Sequence, residues 1–346
     1  MRKAWVLGSL VLLWLTACGK ETEPISVRLM THDSFDVSET VLMQFERETG
    51  YKVEVFKAGD AGEIVTKAIL ANGNPLADVL YGVDNTFLSR ALENDVFVAY
   101  ASPRLSEIDD ALKLDPQNRA LPIDFGDVCL NYDKAWFAEH NVSPPDSLED
   151  LAAPAYANLT VVENPATSSP GLAFLLATLD HFGEEGYLDY WRQLAANGVE
   201  VVNGWNEAYY GSFTAGGAGN RPIVVSYASS PPAAVYFAET PLSEAPIAAV
   251  TAPGTCYRQI EFVGILRGAR QEKAARALVD FMLSRPFQED IPLRMFVYPA
   301  NMTAALPEVF VRYSAVPQEP ALLDPAWVAA RRESWLAAWT DVVLHP

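Results

Sequence analysis

The side chains able to do chemistry in this 346-residue sequence are carboxylates, aromatics and small hydroxyls. The four histidines, His32, His140, His181 and His345, are scattered with no HxH or HxxxH spacing, so neither a metal cluster nor a histidine base assembles locally. GxSxG, Walker A and GxGxxG are absent. With 44 Asp+Glu a distant catalytic carboxylate pair stays open, although a solvated acidic surface is the plainer reading of most of them. Three groupings are more informative. Asn164-Pro165-Ala166-Thr167-Ser168-Ser169-Pro170-Gly171 is a helix start whose free N–H groups suit an anion. Gly204-Trp205-Asn206-Glu207-Ala208-Tyr209-Tyr210 and Ser226-Tyr227-Ala228-Ser229-Ser230-Pro231 place aromatics and small hydroxyls in loops after apolar runs. Flat faces and hydroxyls in loops make a binding surface, and nothing in the three groupings points to turnover.

These loops need strands to hold them. Val27–Met30 reads as a strand, followed by His32, Asp33, Ser34 and a helix from about Glu39 to Gly50. Tyr51–Phe56 alternates as a half-buried strand, Ala58–Gly62 turns into a helix carrying Ile64, Ala68 and Ile69, and Ala77–Tyr81 is a buried strand. Further strands at 160–162, 199–202 and 223–227 precede the three groupings, and helices follow at 272–283 and 324–343. The last carries Trp335 and Trp339 one turn apart, a packing stripe. Strands alternating with helices indicate an α/β chain with parallel pairing, in which ligands sit beyond the carboxyl ends of strands. Asp33, Ser34, Gly62, Asp84 and Asn85 occupy such positions.

Composition narrows the class. A formal charge of −19 excludes a broad electrostatic grip on nucleic acid or a polybasic membrane surface. Half the residues are apolar, enough for a sizeable core, and the length suggests two domains. Met1-Arg2-Lys3 and the uncharged run 4–17 form a secretory signal too short to span a bilayer. Leu15-Thr16-Ala17-Cys18 resembles a bacterial lipobox, which would make Cys18 the lipidated first residue, with 19–25 as a tether. That leaves Cys129 and Cys256 in an oxidising compartment, and a disulfide between them is expected.

The chain resembles the solute-binding proteins of bacterial ABC importers, and within them the thiamine-binding proteins. The matching stretches are His32-Asp33-Ser34-Phe35, Ala77-Asp78-Val79, Gly82-Val83-Asp84-Asn85, Pro122-Ile123-Asp124-Phe125-Gly126 and Pro165–Leu172. They continue with Gly204–Tyr209, Ser226–Pro231, Phe296-Val297-Tyr298-Pro299 and the Trp335/Trp339 helix, in the family's order over nearly the whole chain.

The resemblance implies an α/β, two-lobed periplasmic-binding-protein-like fold, each lobe a mixed sheet flanked by helices, with two crossover strands and a cleft between the lobes. Lobe 1 is expected over 26–122 plus 262–346, lobe 2 over 123–261, and the crossovers at Pro122–Asn131 and Tyr257–Leu266. It further implies a monomer that captures thiamine or a thiamine phosphate by hinge closure, without a cofactor or metal, and delivers it to a membrane permease.

Residue by residue, Trp205 and Tyr227 match aromatics that lie against the ligand rings, and Ser168 and Ser169 a small-hydroxyl pair at the cleft, with Ser229 and Ser230 beside Tyr227. Ala61-Gly62 stands where the family often has Asp-Gly, which leaves backbone contact only. His32 stands where Tyr is frequent, giving weaker stacking or a hydrogen bond, and Phe296 stands for a Trp. Ala233 replaces a further Tyr, for which Tyr236 is the substitute. A fixed cation calls for a carboxylate, with Asp33, Asp84, Asp124 and Glu207 as candidates. Rival readings are a ferric-ion carrier through Tyr209-Tyr210, a polyamine carrier, and a lipoprotein hydrolase acting on thiamine derivatives.

Overall fold

The computed structural model describes residues 24–345, so the expected signal sequence, Cys18 and most of the tether lie outside the described residues. The chain opens with β1 (Ser26–Thr31), α1 (Glu39–Thr49), β2 (Lys52–Lys57), α2 (Ala61–Leu70) and β3 (Val79–Asp84). Ser38 caps α1 by accepting from Val41 N, and Gly50 ends it in the left-handed conformation at φ 74°. After α3 (Leu88–Glu93) and the short β4 (Phe97–Val98) comes β5 (Leu121–Asp133), thirteen residues long.

Then follow α4 (Lys134–His140), β6 (Thr160–Glu163), α5 (Ser169–Ala196), β7 (Glu200–Val202), β8 (Ile223–Tyr227), α6 (Ser230–Tyr236) and β9 (Ile247–Val250). The chain ends with β10 (Tyr257–Leu266), α7 (Glu272–Met282), α8 (Arg285–Arg294), β11 (Tyr298–Pro299), α9 (Glu308–Tyr313) and α10 (Pro325–Val343).

The strands form one curled sheet ordered β2-β1-β3-β10-β5-β8-β6-β7, with β4 on β10 and with β9 and β11 on β5. β1 pairs parallel with both β2 and β3, and β6 parallel with β7 and β8, as strand–helix alternation requires. The antiparallel pair β5–β10, running from Tyr257↔Val128 to Val263↔Leu121 with a register shift between Glu261 and Phe262, joins the halves. One end of each strand feeds a core built from β1, β3, α2 and α7 (Ile123, Ile260 and Phe262), the other a core built on α5 (Val128, Leu130 and Tyr257). The fold is therefore two-lobed α/β with β5 and β10 crossing between the two cores.

The C-terminal helix departs from the expectation that 262–346 belongs to the first lobe. Val328, Trp335 and Trp339 of α10 enter the second core, and Trp339 meets Trp191 of α5 edge-on at 5.5 Å. The Trp stripe is a packing face as its spacing indicates, but spacing along one helix cannot name the surface it covers.

Cys129 and Cys256 form a buried disulfide with Cα atoms 4.5 Å apart, linking β5 to the residue before β10. Beside it Asp127, fully buried, is held in a fork by Arg258, whose Nε and Nη2 donate to Oδ1 and Oδ2 at 2.9 and 3.0 Å. Both clamps tie one crossover strand to the other.

Candidate functional site

A cavity of about 470 Å³ lies where the two lobes face each other across β5 and β10. The second lobe contributes Trp205, Tyr227, Ser168, Ser169 and Glu207, and the first lobe His32, Asp33 and Ala61, so eight of the sequence-derived residues converge on it.

Local structure explains how each arrives. Ser168 caps α5 by accepting from Gly171 N at 3.4 Å, with Pro170 in the first turn. Gly171 lets the turn sit against β6, since a Cβ there would be 2.6 Å from the Glu163 carbonyl oxygen. Trp205 precedes a π-helical turn, Glu207–Ser212, that sets Tyr209 behind it, stacked at 4.8 Å. The indole Nε1 donates to Ser226 Oγ at 2.9 Å, which fixes the ring with one face toward the cavity. Tyr227 closes β8, and its hydroxyl donates to Gln259 Oε1 at 2.9 Å. Burial, with the charges of Glu261, Asp60, Asp84 and Glu163 added, raises the Tyr227 pKa well above the usual range and keeps it a neutral phenol.

Other expected residues lie elsewhere. Asp84 is inside β3 and fully buried, where Thr86 N and Oγ1 donate to Oδ1 and Gln259 Nε2 donates to Oδ2 at 2.7 Å. Burial outweighs these bonds and pushes its pKa up to about 6. Asp124 is likewise buried in β5, with Oδ2 2.5 Å from the Tyr81 hydroxyl. Ser229 and Ser230 are structural: Ser230 Oγ binds Ser226 Oγ and accepts from Tyr227 N, and Ser229 Oγ donates to the Phe296 carbonyl.

Phe296 is not a cavity wall. Its backbone is left-handed at φ 55°, and its ring packs with Tyr236, Phe237 and Phe310 while Met295 and Val297 face the cavity. Tyr236, half-exposed, belongs to that outer cluster and does not substitute for a cleft tyrosine. Gly62 lines a neighbouring opening of about 840 Å³ on the far side of Ser168 and Ser169, with Arg90 and Arg332. Neither Tyr209 nor Tyr210 lines the cavity, and among the described residues no group of three His, Cys, Asp or Glu side chains could hold a metal ion.

Three polar residues that sequence reasoning missed are central. Asp60 supplies a carboxylate one residue before Ala61, capping α2 through Ala61 N at 2.7 Å, and burial raises its pKa. Gln259 and Glu261 alternate on the cavity face of β10. Gln259 ties Asp84 of the first lobe to Tyr227 and, at 3.1 Å, to Ser169 Oγ of the second. Glu261 accepts from the Tyr81 hydroxyl at 2.8 Å through Oε2, and its Oε1 is 3.2 Å from His32 Nε2. Two polar residues at i and i+2, in a strand whose only other polar side chains are Tyr257 and Arg258, are the sequence signal that could have found them.

The electrostatics follow from this cluster. Burial alone would raise Glu261, but the His32 charge, with the hydrogen bond from the Tyr81 hydroxyl, holds its carboxyl below the usual range. Burial alone would lower His32, but Glu261 raises it. Asp124, buried beside that charge, is raised well above the carboxylate range and stays protonated. Four carboxylates, Asp33, Asp60, Glu207 and Glu261, line the cavity with no Lys or Arg among its lining residues. The site offers aromatic faces, hydroxyls and negative potential, which suits a flat organic cation.

Comparison with known proteins agrees with the fold and with this chemistry. A thiamine-binding periplasmic protein of Salmonella typhimurium is 28% identical over 341 residues, covering 96% of this chain and 98% of the relative. One of Brucella abortus is 29% identical over 323 residues, 90% of each chain. A solved structure of a periplasmic thiamin binding protein superposes with a TM-score of 0.78 at 27% identity, covering 92% of this chain and 96% of that one. Residues 74–314 match the family model described as bacterial extracellular solute-binding protein. With a two-lobed fold, a cleft on the crossover strands and that match, the chain belongs to the bacterial extracellular solute-binding proteins.

Proposed function

We propose that this protein captures thiamine, or a thiamine phosphate, outside the cytoplasmic membrane and hands it to the permease of an ABC importer. The observation that carries the reading is the pairing of Trp205 and Tyr227 with carboxylates in a cavity whose lining has neither Lys nor Arg. Thiamine joins an aminopyrimidine to a permanently charged thiazolium ring. Each aromatic face contributes roughly 0.5–2 kcal/mol toward such a cation, more once water is excluded. The relatives named for thiamine binding, similar over nearly their whole length, support the same ligand.

The lobes close about β5 and β10, bringing the second-lobe aromatics down on a ligand resting against the first lobe. Free N–H groups at the start of α5, beside Ser168 and Ser169, suit the phosphoryl oxygens of a phosphate ester. This is binding without turnover, in a monomer that needs no cofactor, held at the membrane by lipid on Cys18. Calorimetry of the purified protein with thiamine, its mono- and diphosphate, spermidine and ferric ion tests the reading. Tight binding of a thiamine species with weak or no heat from the last two supports it, and preference for spermidine or iron overturns it.

A further inference from the structure

The four carboxylates of the cavity are not equivalent. Asp33 Oδ1 accepts from Gly59 N, Asp60 Oδ1 from Ala61 N and Glu207 Oε2 from Asn203 N, so each is engaged by backbone. Glu261 faces a counter-charge that can be switched off, because among the described residues His32 is the only basic side chain in the lining. The His32 ring is built into its place. Gly82, at φ 93°, carries no Cβ where one would fall 2.2 Å from His32 Cδ2. Tyr81 lies at 5.4 Å between ring centroids. Nε2 is buried and within 3.2 Å of Glu261 Oε1, yet it makes no aligned hydrogen bond. The contact is therefore held by charge and lacks the directional bond that would lock it.

We propose that Glu261 is the carboxylate that recognises the fixed positive charge of the ligand, and that His32 is its exchangeable counter-ion, expelled as a proton when the ligand enters. This inference rests on the functional reading above. In the open protein, protonated His32 neutralises Glu261. An organic cation brought against Glu261 repels that proton, which leaves to solvent, so one positive charge replaces another and the buried cluster keeps its net charge.

Every other group facing His32 is placed so as not to take over this role. Asp60, capping α2, adds negative charge and Lys57 on β2 opposes it, with the Lys57 ammonium turned to the Asp33 carbonyl oxygen at 3.0 Å. Tyr81 on β3 and Asp124 on β5 stay protonated. By linkage, affinity for the cation falls as pH drops through the His32 titration, approaching tenfold per pH unit between its values in the free and bound forms.

The test is calorimetry of the purified protein with thiamine at pH 6.5, in two buffers of different ionisation enthalpy, alongside dissociation constants at pH 6.0 and 7.5. The expected result is proton release approaching one per ligand at pH 6.5 and binding weakened several-fold between pH 7.5 and 6.0. In His32→Gln both effects disappear, with affinity at pH 6.0 at least that of wild type. Asp84, Asp60 and Glu163 remain in that variant, so the difference between the two proteins isolates His32. Glu261→Gln is expected to lower affinity for the cation and to flatten the pH dependence, with circular dichroism as the check on folding. Thiamine binding with equal heats in the two buffers and a flat pH profile overturns the exchange alone. No thiamine binding at either pH overturns the functional reading, and the exchange with it.

Discussion

Replacing Glu163 by Gln should make the protein more resistant to unfolding at alkaline pH and change little at acid pH. Glu163 ends β6 against the first turn of α5, is 1% exposed, and neither carboxylate oxygen has a hydrogen-bond partner, its own backbone N–H being the only group that favours the charge. Burial pushes its pKa from 4.5 up to about 8. Between those values the unfolded chain is ionised while the folded one keeps its proton. Folding then takes up a proton, so stability falls as pH rises. At about 1.4 kcal/mol per pH unit, three units between pH 5 and 8 amount to roughly 4 kcal/mol, an upper bound because water entry would soften it. Urea unfolding of both proteins at half-unit intervals from pH 5 to 8.5 measures this. The wild-type curve should fall away from that of Glu163→Gln, with the gap opening from about pH 5 and levelling near 8. Parallel curves would refute the reasoning and mean that the carboxylate is solvated in the folded state.

Three further outcomes are expected. Replacing both cysteines by serine should lower the urea midpoint, with a ceiling of about 4–5 kcal/mol from loop entropy for a link across 127 residues, measured against the oxidised, disulfide-bonded wild type. Arg258→Met leaves Asp127 buried without its fork and should cost about 3–5 kcal/mol by thermal or urea unfolding, whereas Arg258→Met with Asp127→Leu should recover most of it. Trp205→Ala should weaken thiamine binding by at least about threefold to thirtyfold, the share of one cation–π contact, with an unchanged circular dichroism spectrum.

The parts legible in the sequence are those carried by local pattern. β1, β3 and β8 read as strands because short apolar stretches, broken in β1 only by Arg28, lie between turn residues, and Ser38, Gly50, Ser168 and Pro170 announce helix ends through capping chemistry. Trp205 was legible as an aromatic in a Gly-rich loop, and Tyr227 as the aromatic at which an apolar strand gives way to a Ser-rich turn. Glu261 and Gln259 were not, because they sit mid-strand, and only the pairing of β10 with β3 and β5 turns their face toward the cleft. Asp84 and Asp124 lie off the cavity for the converse reason: Asp84 looks like a loop acid after a strand but is the buried last residue of β3, and Asp124 lies in a crossover strand whose pairing, invisible in the sequence, turns it into the interior. Phe296 lies in an apolar run with no alternation, so nothing local reveals the left-handed backbone that turns its ring outward. The partner of the α10 Trp stripe is a property of long-range packing, which a single helix does not encode.

A structure of the protein crystallised with thiamine examines the central claim most directly. The expected result is closed lobes with the ligand rings against the Trp205 indole and the Tyr227 phenol and the cationic ring toward the Glu261 side of the cavity. An empty cleft at saturating thiamine, or ligand bound away from both aromatics, would contradict the account.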